Sequence, residues 1–583
     1  MSQSWQARWL ISLLAMLPGC AHAECQLNKY FELPVTMVVR RPIVTAQING
    51  RDARFILDSG AFFSTIAEAN AREYGLAAHQ AFGATLKGIG GDTSLGIATA
   101  KEFTIAGHPI PHLDFVVGGS DTGFAGLIGQ NILGFADAEY DLPHGVVRMM
   151  KSRGCGNAGL AYWAGGKPFT MLPIEPMDTR QRHTIATVKV NGVNLKALFD
   201  SGAGTSMLTL AAAKRIGVAP GDPGVTPAGF VVGLGQKRVP VWRAKFDTID
   251  IGGEAIRGPT LAVADQLLSG ADMLVGIDFF LTHHLYVDNE HHRMFVTYEG
   301  GPLFGLEPKR AVDSTGAVID LTDKAGEPAD AAAFARRGAV RASDRRFDDA
   351  IADFDRALSL TPGDARILVQ RAAAHFGNRQ LLLGATDLDR AIELAPGDAD
   401  SRLARAALRL QGRDPAGALS DLQVADGVLA AAAEARLRLG AMYDAADDYA
   451  AAIRSYDQWL ASHAEDHGRA SALNGRCWAR AMLDRDLDKA LVDCDAALRL
   501  RPKEAAFLDS RALVRLRRGD LDKALTDYSA AIAVAPRNAW SLYARGVVER
   551  RLGNTSAADV DRAAAIAINP LIEERAKRFK IEG

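Results

Sequence analysis

Very little in this 583-residue chain is of one kind. Five cysteines are too few to staple a fold of this length, which excludes a disulfide-dense scaffold. Lys and Arg number 67 against 69 Asp and Glu, a net charge of -2, so no basic patch points to nucleic acid and no acidic tail stands out. Past residue 23 no apolar run reaches the ~20 residues of a spanning helix. Aromatics are 7% and charged residues 23%, while hydrophobic residues are 48%, ordinary for packed domains and unlike disorder. Glycine is not scarce but it is uneven: of 56, 41 lie in residues 1–330 and 15 in residues 331–583. A glycine-rich half suits turn-rich β structure, and a glycine-poor, alanine-rich half suits helix.

Residues 1–23 read as an export signal: Arg8, the apolar run Leu10–Leu17, then Ala21-His-Ala23 ahead of a cut before Glu24. The mature chain is then periplasmic or secreted. Leu17-Pro-Gly-Cys20 gives a second reading, a lipid anchor on Cys20, against which the proline counts.

Residues 24–301 contain one pattern twice. Phe55-Ile-Leu-Asp58-Ser59-Gly60-Ala and Ala197-Leu-Phe-Asp200-Ser201-Gly202-Ala each follow an Asn-Gly pair, whose Asn lies nine residues before the Asp. Asn-Gly between alternating apolar segments is a hairpin signal. Gly88-Ile89-Gly90 and Gly233-Leu234-Gly235 come 30 and 33 residues after each Asp; then follow Leu-Ile-Gly129 and Leu-Val-Gly276, and a strand ending at Asp141 or Asp288. A duplicated β unit of ~120 residues accounts for this.

The two passages together resemble the retropepsin-like (pepsin and retroviral-type) aspartic proteases, with two small lobes fused in one chain, residues 24–168 including a connection and residues 169–301. The resemblance implies that Asp58 and Asp200 each supply half of a catalytic pair, because two carboxyls about 3 Å apart share one proton and divide the acid and base roles. It implies that Ser59, Gly60, Ser201 and Gly202 support that pair, and that Gly88–Gly90 and Gly233–Gly235 are flap hairpins closing over a peptide or protein substrate. No metal or organic cofactor is implied. A non-catalytic peptide binder built on the same lobes is the alternative. Asp121-Thr-Gly123 spells the pepsin-type triplet, but no apolar strand precedes it, and it reads as a loop. His283, His284, His291 and His292 with Asp288 and Glu290 read as part of a terminal hairpin rather than a metal site. Cys25 and Cys155 flank the first lobe, where a disulfide would clasp its ends.

Residues 302–330 read as a linker. Beyond it Pro362 and Pro396, and Pro502, Pro536 and Pro570, step by 34, with extra residues near 462–468. Gly338, Ala350, Phe354 and Ala357 set a frame that Gly440, Ala452 and Tyr456 repeat. This resembles tetratricopeptide repeats (TPR), about seven over residues 331–570 with a cap at 571–583, whose groove binds peptides or partner proteins. Cys477 and Cys494 occupy core-type positions and read as buried thiols, a disulfide being second. Arg336, Arg337 and Arg405 read as solvated helix charges. The expected fold is thus multidomain: an all-β bilobal acid-protease-like domain, then an all-α TPR solenoid.

Overall fold

The computed structural model describes residues 25–89, 91–156, 158–165, 168–176, 183–233, 235, 237–266, 268, 270–306 and 328–582. The export segment, Cys20, Gly90, Leu234 and most of the expected linker lie outside the described residues.

The β-rich part is three sheets. The first lobe builds an eight-stranded sheet and the second a nine-stranded one, and the same local events recur in both. Arg41–Ile48 alternates between exposed and buried over its second half, and turns at Asn49-Gly50 into Arg51–Leu57. Ile185–Val190 turns at Asn191-Gly192 into Val193–Phe199. All four turn residues have positive φ, which asparagine and glycine tolerate, and the turn's twist matches that of the strands. Each asparagine side chain also accepts backbone N–H groups: Asn49 from Glu102, and Asn191 from Asp247 and Thr248. The second strand of each hairpin then pairs in parallel with the short strand before the later glycine, so that Leu57 lies beside Ile128 and Phe199 beside Val275. Behind them Phe55, Phe103 and Phe115 fill one lobe, and Phe199, Phe279 and Phe304 the other, all buried.

The third sheet joins the lobes. Its six strands run in the order Gln26–Pro34, Val146–Arg153, Asp137–Asp141, His283–Asp288, Arg293–Tyr298, Thr170–Pro173. Three come from each lobe, and the seam is the pairing of Ala138, Glu139 and Tyr140 with Val287, Tyr286 and Leu285. A disulfide links Cys25 to Cys155.

From Ala331 to Ile568 the described chain is seven antiparallel helix pairs, with Ile572–Arg578 after them. The frame residues act by size. A Cβ on Gly338 would lie 2.9 Å from the Phe354 ring, and one on Gly440 2.7 Å from that of Tyr456, so glycine lets each pair close on an aromatic. The arginine reading needs correction. Arg337 and Arg405 are not free surface charges but pair with buried Asp353 and Asp421 on the second helix of their own repeats. The same Arg-to-Asp step of 16 residues recurs at Arg371–Asp387, Arg511–Asp527 and Arg545–Asp561, and at 17 residues in Arg476–Asp493. In the fourth pair Leu439 and Ser455 stand at those positions. Cys477 and Cys494 are a disulfide across the fifth pair, not two thiols. The first pair shares its core with the lobes: Phe334, Ala339 and Val340 belong to the cluster that includes Phe55 and Phe199. Among the described residues no helix is long and apolar enough to cross a membrane.

Candidate active site

Asp58 and Asp200 leave their parallel-paired strands at equivalent points, each backbone N–H held by the partner strand: Asp58 by Ile128 O and Asp200 by Val275 O, both at 2.9 Å. The turns that follow bring them face to face. The serines lock the two turns reciprocally: Ser59 N donates to Ser201 Oγ (3.1 Å) and Ser201 N to Ser59 Oγ (2.9 Å). Each hydroxyl donates onward to the other lobe, Ser59 to Phe199 O and Ser201 to Leu57 O, both at 2.9 Å. All four bonds are buried, where an unmade one would cost ~1–3 kcal/mol, so they fix one lobe against the other.

Gly60 and Gly202 are required for a different reason. A Cβ at Gly60 would lie 2.5 and 2.6 Å from the carboxyl oxygens of Asp200, and one at Gly202 would lie 2.5 and 2.8 Å from those of Asp58. Each glycine is the floor beneath the opposite carboxyl. Gly60 N also donates to Asp58 Oδ1 (3.0 Å), and Gly202 N and Ala203 N donate to Asp200 Oδ1 (2.9 and 3.1 Å).

The two half-buried carboxyls lie within hydrogen-bonding reach of each other. Burial pushes Asp58 well above the usual carboxylate range, and the charge of Asp200 and the bond to it push further, against the N–H groups of Gly60 and Ala61. Burial also raises Asp200, but the bond from Asp58, the N–H groups of Gly202 and Ala203 and the nearby His183 hold it back. Both carboxyls are pushed upward, Asp58 the more, as expected of two close carboxyls that share one proton.

The two segments expected to be flaps also meet. Gly88 and Gly91 end the strands Ala78–Gly88 and Gly91–Ile105, and between them Ile89 O accepts from Gly235 N at 3.1 Å. A Cβ on Gly233 would stand 2.6 Å from that of Ile89. Of the expected flap residues, Gly90 and Leu234 lie outside the described ones.

The structure adds residues that the motifs do not contain. Gln130, buried, donates to Ser59 O (2.8 Å) from just after Gly129. Tyr140, at the seam of the joining sheet, shares a hydrogen bond with Ser59, and burial raises its hydroxyl. Its signal is the tyrosine next to the strand-ending Asp141. His183 stands 5.9 Å from the Phe62 ring and faces Asp200. Burial pushes its pKa down, against the Asp200 charge and a bond to the Gly60 backbone.

Three of the histidines of the terminal hairpin, His283, His284 and His291, have local partners. His283 reaches Phe279 O (2.9 Å) and Glu254 (3.2 Å), and His291 reaches Asp288 (3.0 Å). His284 joins Glu139 and Asp141 in a group tight enough to hold a metal ion. Arg148 already stands there, donating to Glu139 Oε1 (2.6 Å) and Asp141 Oδ2 (3.1 Å), so the cation of that cluster is a guanidinium. Asp121 is in a loop, buried, and turned toward the helical array rather than toward the paired aspartates.

Residues 44–132 and 186–279 match the family model described as aspartyl protease, and residues 510–570 match a tetratricopeptide repeat model. No curated relative matches significantly. Solved structures similar to the helical array include the APC/C hetero-tetramer Cut9-Hcn1 (13% identity, 42% of this chain, TM-score 0.32). This chain covers about half, 48%, of that one. Another is PilW, a type IV pilus biogenesis factor (18% identity, 37% of this chain and 97% of that one, TM-score 0.30). A third is YrrB, a TPR protein with an unusual peptide-binding site (19% identity, 39% of this chain and 97% of that one, TM-score 0.21). The chain therefore joins an aspartyl protease-like region, matched once in each lobe, to a C-terminal tetratricopeptide array.

Proposed function

We propose that this protein is an exported aspartic endopeptidase whose helical array docks a protein substrate or partner. The observation that carries the reading is the facing of the two carboxyls across the lobe interface, each seated against the other lobe's glycine. Asp200, the carboxylate, takes a proton from a water as its oxygen attacks the scissile carbonyl carbon, and Asp58 gives its proton to the carbonyl oxygen. Collapse of the resulting diol breaks the C–N bond; the proton on Asp200 goes to the leaving nitrogen, and a diol proton returns to Asp58. Every proton is carried by this chain and the water, so the step needs no metal or organic cofactor. Ser59, Ser201, Gly60 and Gly202 hold the geometry, and the flaps exclude bulk water.

Export fits the Arg8-to-Ala23 segment and the two disulfides, which persist in oxidising compartments. The array's role rests on the groove that such solenoids present to peptides. The test is digestion of a peptide library by the full chain, with new termini read by mass spectrometry, with and without pepstatin. Pepstatin-sensitive cuts are expected. Peptides retained on the protein but left whole would overturn the reading in favour of a binder.

A further inference from the structure

The helical array reaches back to both flaps. Between the helices Tyr449–Ser462 and Arg469–Met482 the connecting loop lies on the first lobe. Glu465 accepts from Ser94 N (3.1 Å) and Ser94 Oγ (2.8 Å), and Ser94 belongs to the flap strand Gly91–Ile105. On the second lobe Arg238, between the flap strands Thr226–Val231 and Val239–Lys245, pairs with Glu504 (3.5 Å) at the start of the sixth helix pair. The two flaps are joined to each other through Gly235 N and Ile89 O.

Beside Glu465 the loop is pinned by a buried cluster. Asp466 Oδ2 accepts from Asp121 N (2.7 Å), and His467 N donates to Ser120 Oγ (2.9 Å). His463 Nε2 faces Asp121 Oδ2 at 3.3 Å, with side chains only 2% and 1% exposed. Its other nitrogen faces Trp459 O at 2.8 Å, and the ring stacks on the Trp459 indole. With a carboxylate on one nitrogen and a carbonyl on the other, both contacts are hydrogen bonds only when the ring carries two protons. Asn70 and Gly123 N complete the partners of Asp121.

We propose that the repeat array is a brace for the flaps, gripping one through Glu465 and the other through Glu504, with the His463–Asp121 contact as its pin. The flaps part when the Glu465 and Glu504 contacts let go, and the pin keeps the loop that carries Glu465 in place. Its consequence for proteolysis rests on the function proposed above; the brace itself does not.

The pin is sensitive to pH. Burial alone would lower His463, but the Asp121 carboxylate, the Trp459 carbonyl and the Asp466 charge outweigh it and hold its pKa above the ordinary value. Glu434 packs against the same cluster, and burial, then the charges of Asp121 and Asp466, raise it, while His463 and Arg438 pull it back. Glu68 and His79 of the first lobe, and Glu465 of the loop, line the cavity beside the pin. Both shifted groups hold their protons more firmly in the braced state than when released. The stabilisation from His463 is therefore complete below its ordinary pKa of about 6.5 and that from Glu434 below about 4.5, and each is lost as pH rises through its own raised value.

Amide hydrogen exchange on the full-length protein tests this without using catalysis. The double variant E465A/E504A alters two surface carboxylates and leaves the pin in place. Exchange at residues 91–97 and 226–238 should become about tenfold faster, with residues 193–199 unchanged. In the wild type, flap exchange between pH 5 and pH 8 should rise beyond the intrinsic base-catalysed increase, and His463→Gln should cut that excess at least by half; an undiminished excess would remove His463 as the pin. Flap exchange equal to wild type in E465A/E504A would overturn the brace. A normal brace with no peptide cleavage would instead count against the proposed function alone.

Discussion

Gly60→Ala is the smallest change that tests the paired geometry. The new Cβ would stand 2.5 Å from the nearer Asp200 oxygen, about 0.9 Å short of the 3.4 Å of an ordinary contact. The backbone cannot yield cheaply, because Ser59 on one side is tied to both Ser201 and Phe199. The Asp200 carboxyl must therefore swing away, stretching its bond to Asp58 and its bonds from Gly202 and Ala203. A displacement near 1 Å at reacting groups costs on the order of 10²-fold in rate. Overpacking of this kind destabilises by ~1–3 kcal/mol, so the variant stays folded if the wild type has ordinary stability. The assay is steady-state cleavage of a fluorogenic peptide, with circular dichroism to confirm folding. Expected are a kcat lower by about 100-fold and a KM changed by less than about threefold, since the substrate groove is untouched. A folded Gly60→Ala protein retaining wild-type kcat would refute the claim that Gly60 seats the opposite carboxyl.

His183→Ala removes a charge that lowers Asp200, so the acid limb of the kcat/KM–pH profile should move to higher pH; an unmoved limb would separate His183 from the pair. Asp509, buried and pushed up to about 7 with Ser541 as its hydrogen-bond donor, should destabilise the array as pH rises from about 4 to 7. Three units at ~1.4 kcal/mol each set a ceiling of ~4 kcal/mol, so Asp509→Asn should melt above wild type at pH 8 and alike at pH 4 in calorimetry. Asp421 accepts from Arg402, Arg405 and Arg409 while fully buried. Asp421→Ala should cost ~3–5 kcal/mol, read as lost exchange protection in helices Ala399–Gln411 and Pro415–Val428.

The duplicated passage was legible because each lobe solves the same local problem with the same residues. Asn-Gly gives the hairpin, and Gly129 and Gly276 allow chain crossings where a Cβ would meet backbone at 2.7 Å and 2.6 Å. The TPR frame was legible for a like reason, since a repeat writes its packing at a fixed interval. The Arg–Asp ladder was written at the same interval, but an exposed arginine and a pairing arginine look alike until the partner helix is placed. Contacts without periodicity left no trace. His463 and Asp121 are 342 residues apart, and a literal Asp-Thr-Gly that reads as a loop proves to be where the array docks. Gln130 and Tyr140 reach Ser59, and His183 faces Asp200, through approaches that only the folded lobes reveal. The Cys477–Cys494 link depended on two helices whose approach distance no spacing rule gives.

The central claim is that Asp58 and Asp200 of one chain form a single hydrolytic centre. Its most direct measurement is peptide cleavage by Asp58→Asn and Asp200→Asn, each alone and then mixed in equal amounts. Neither variant should cleave, and neither should the mixture, because each chain holds only half a pair. Cleavage retained by both single variants would contradict it, and activity restored on mixing would place the pair between chains.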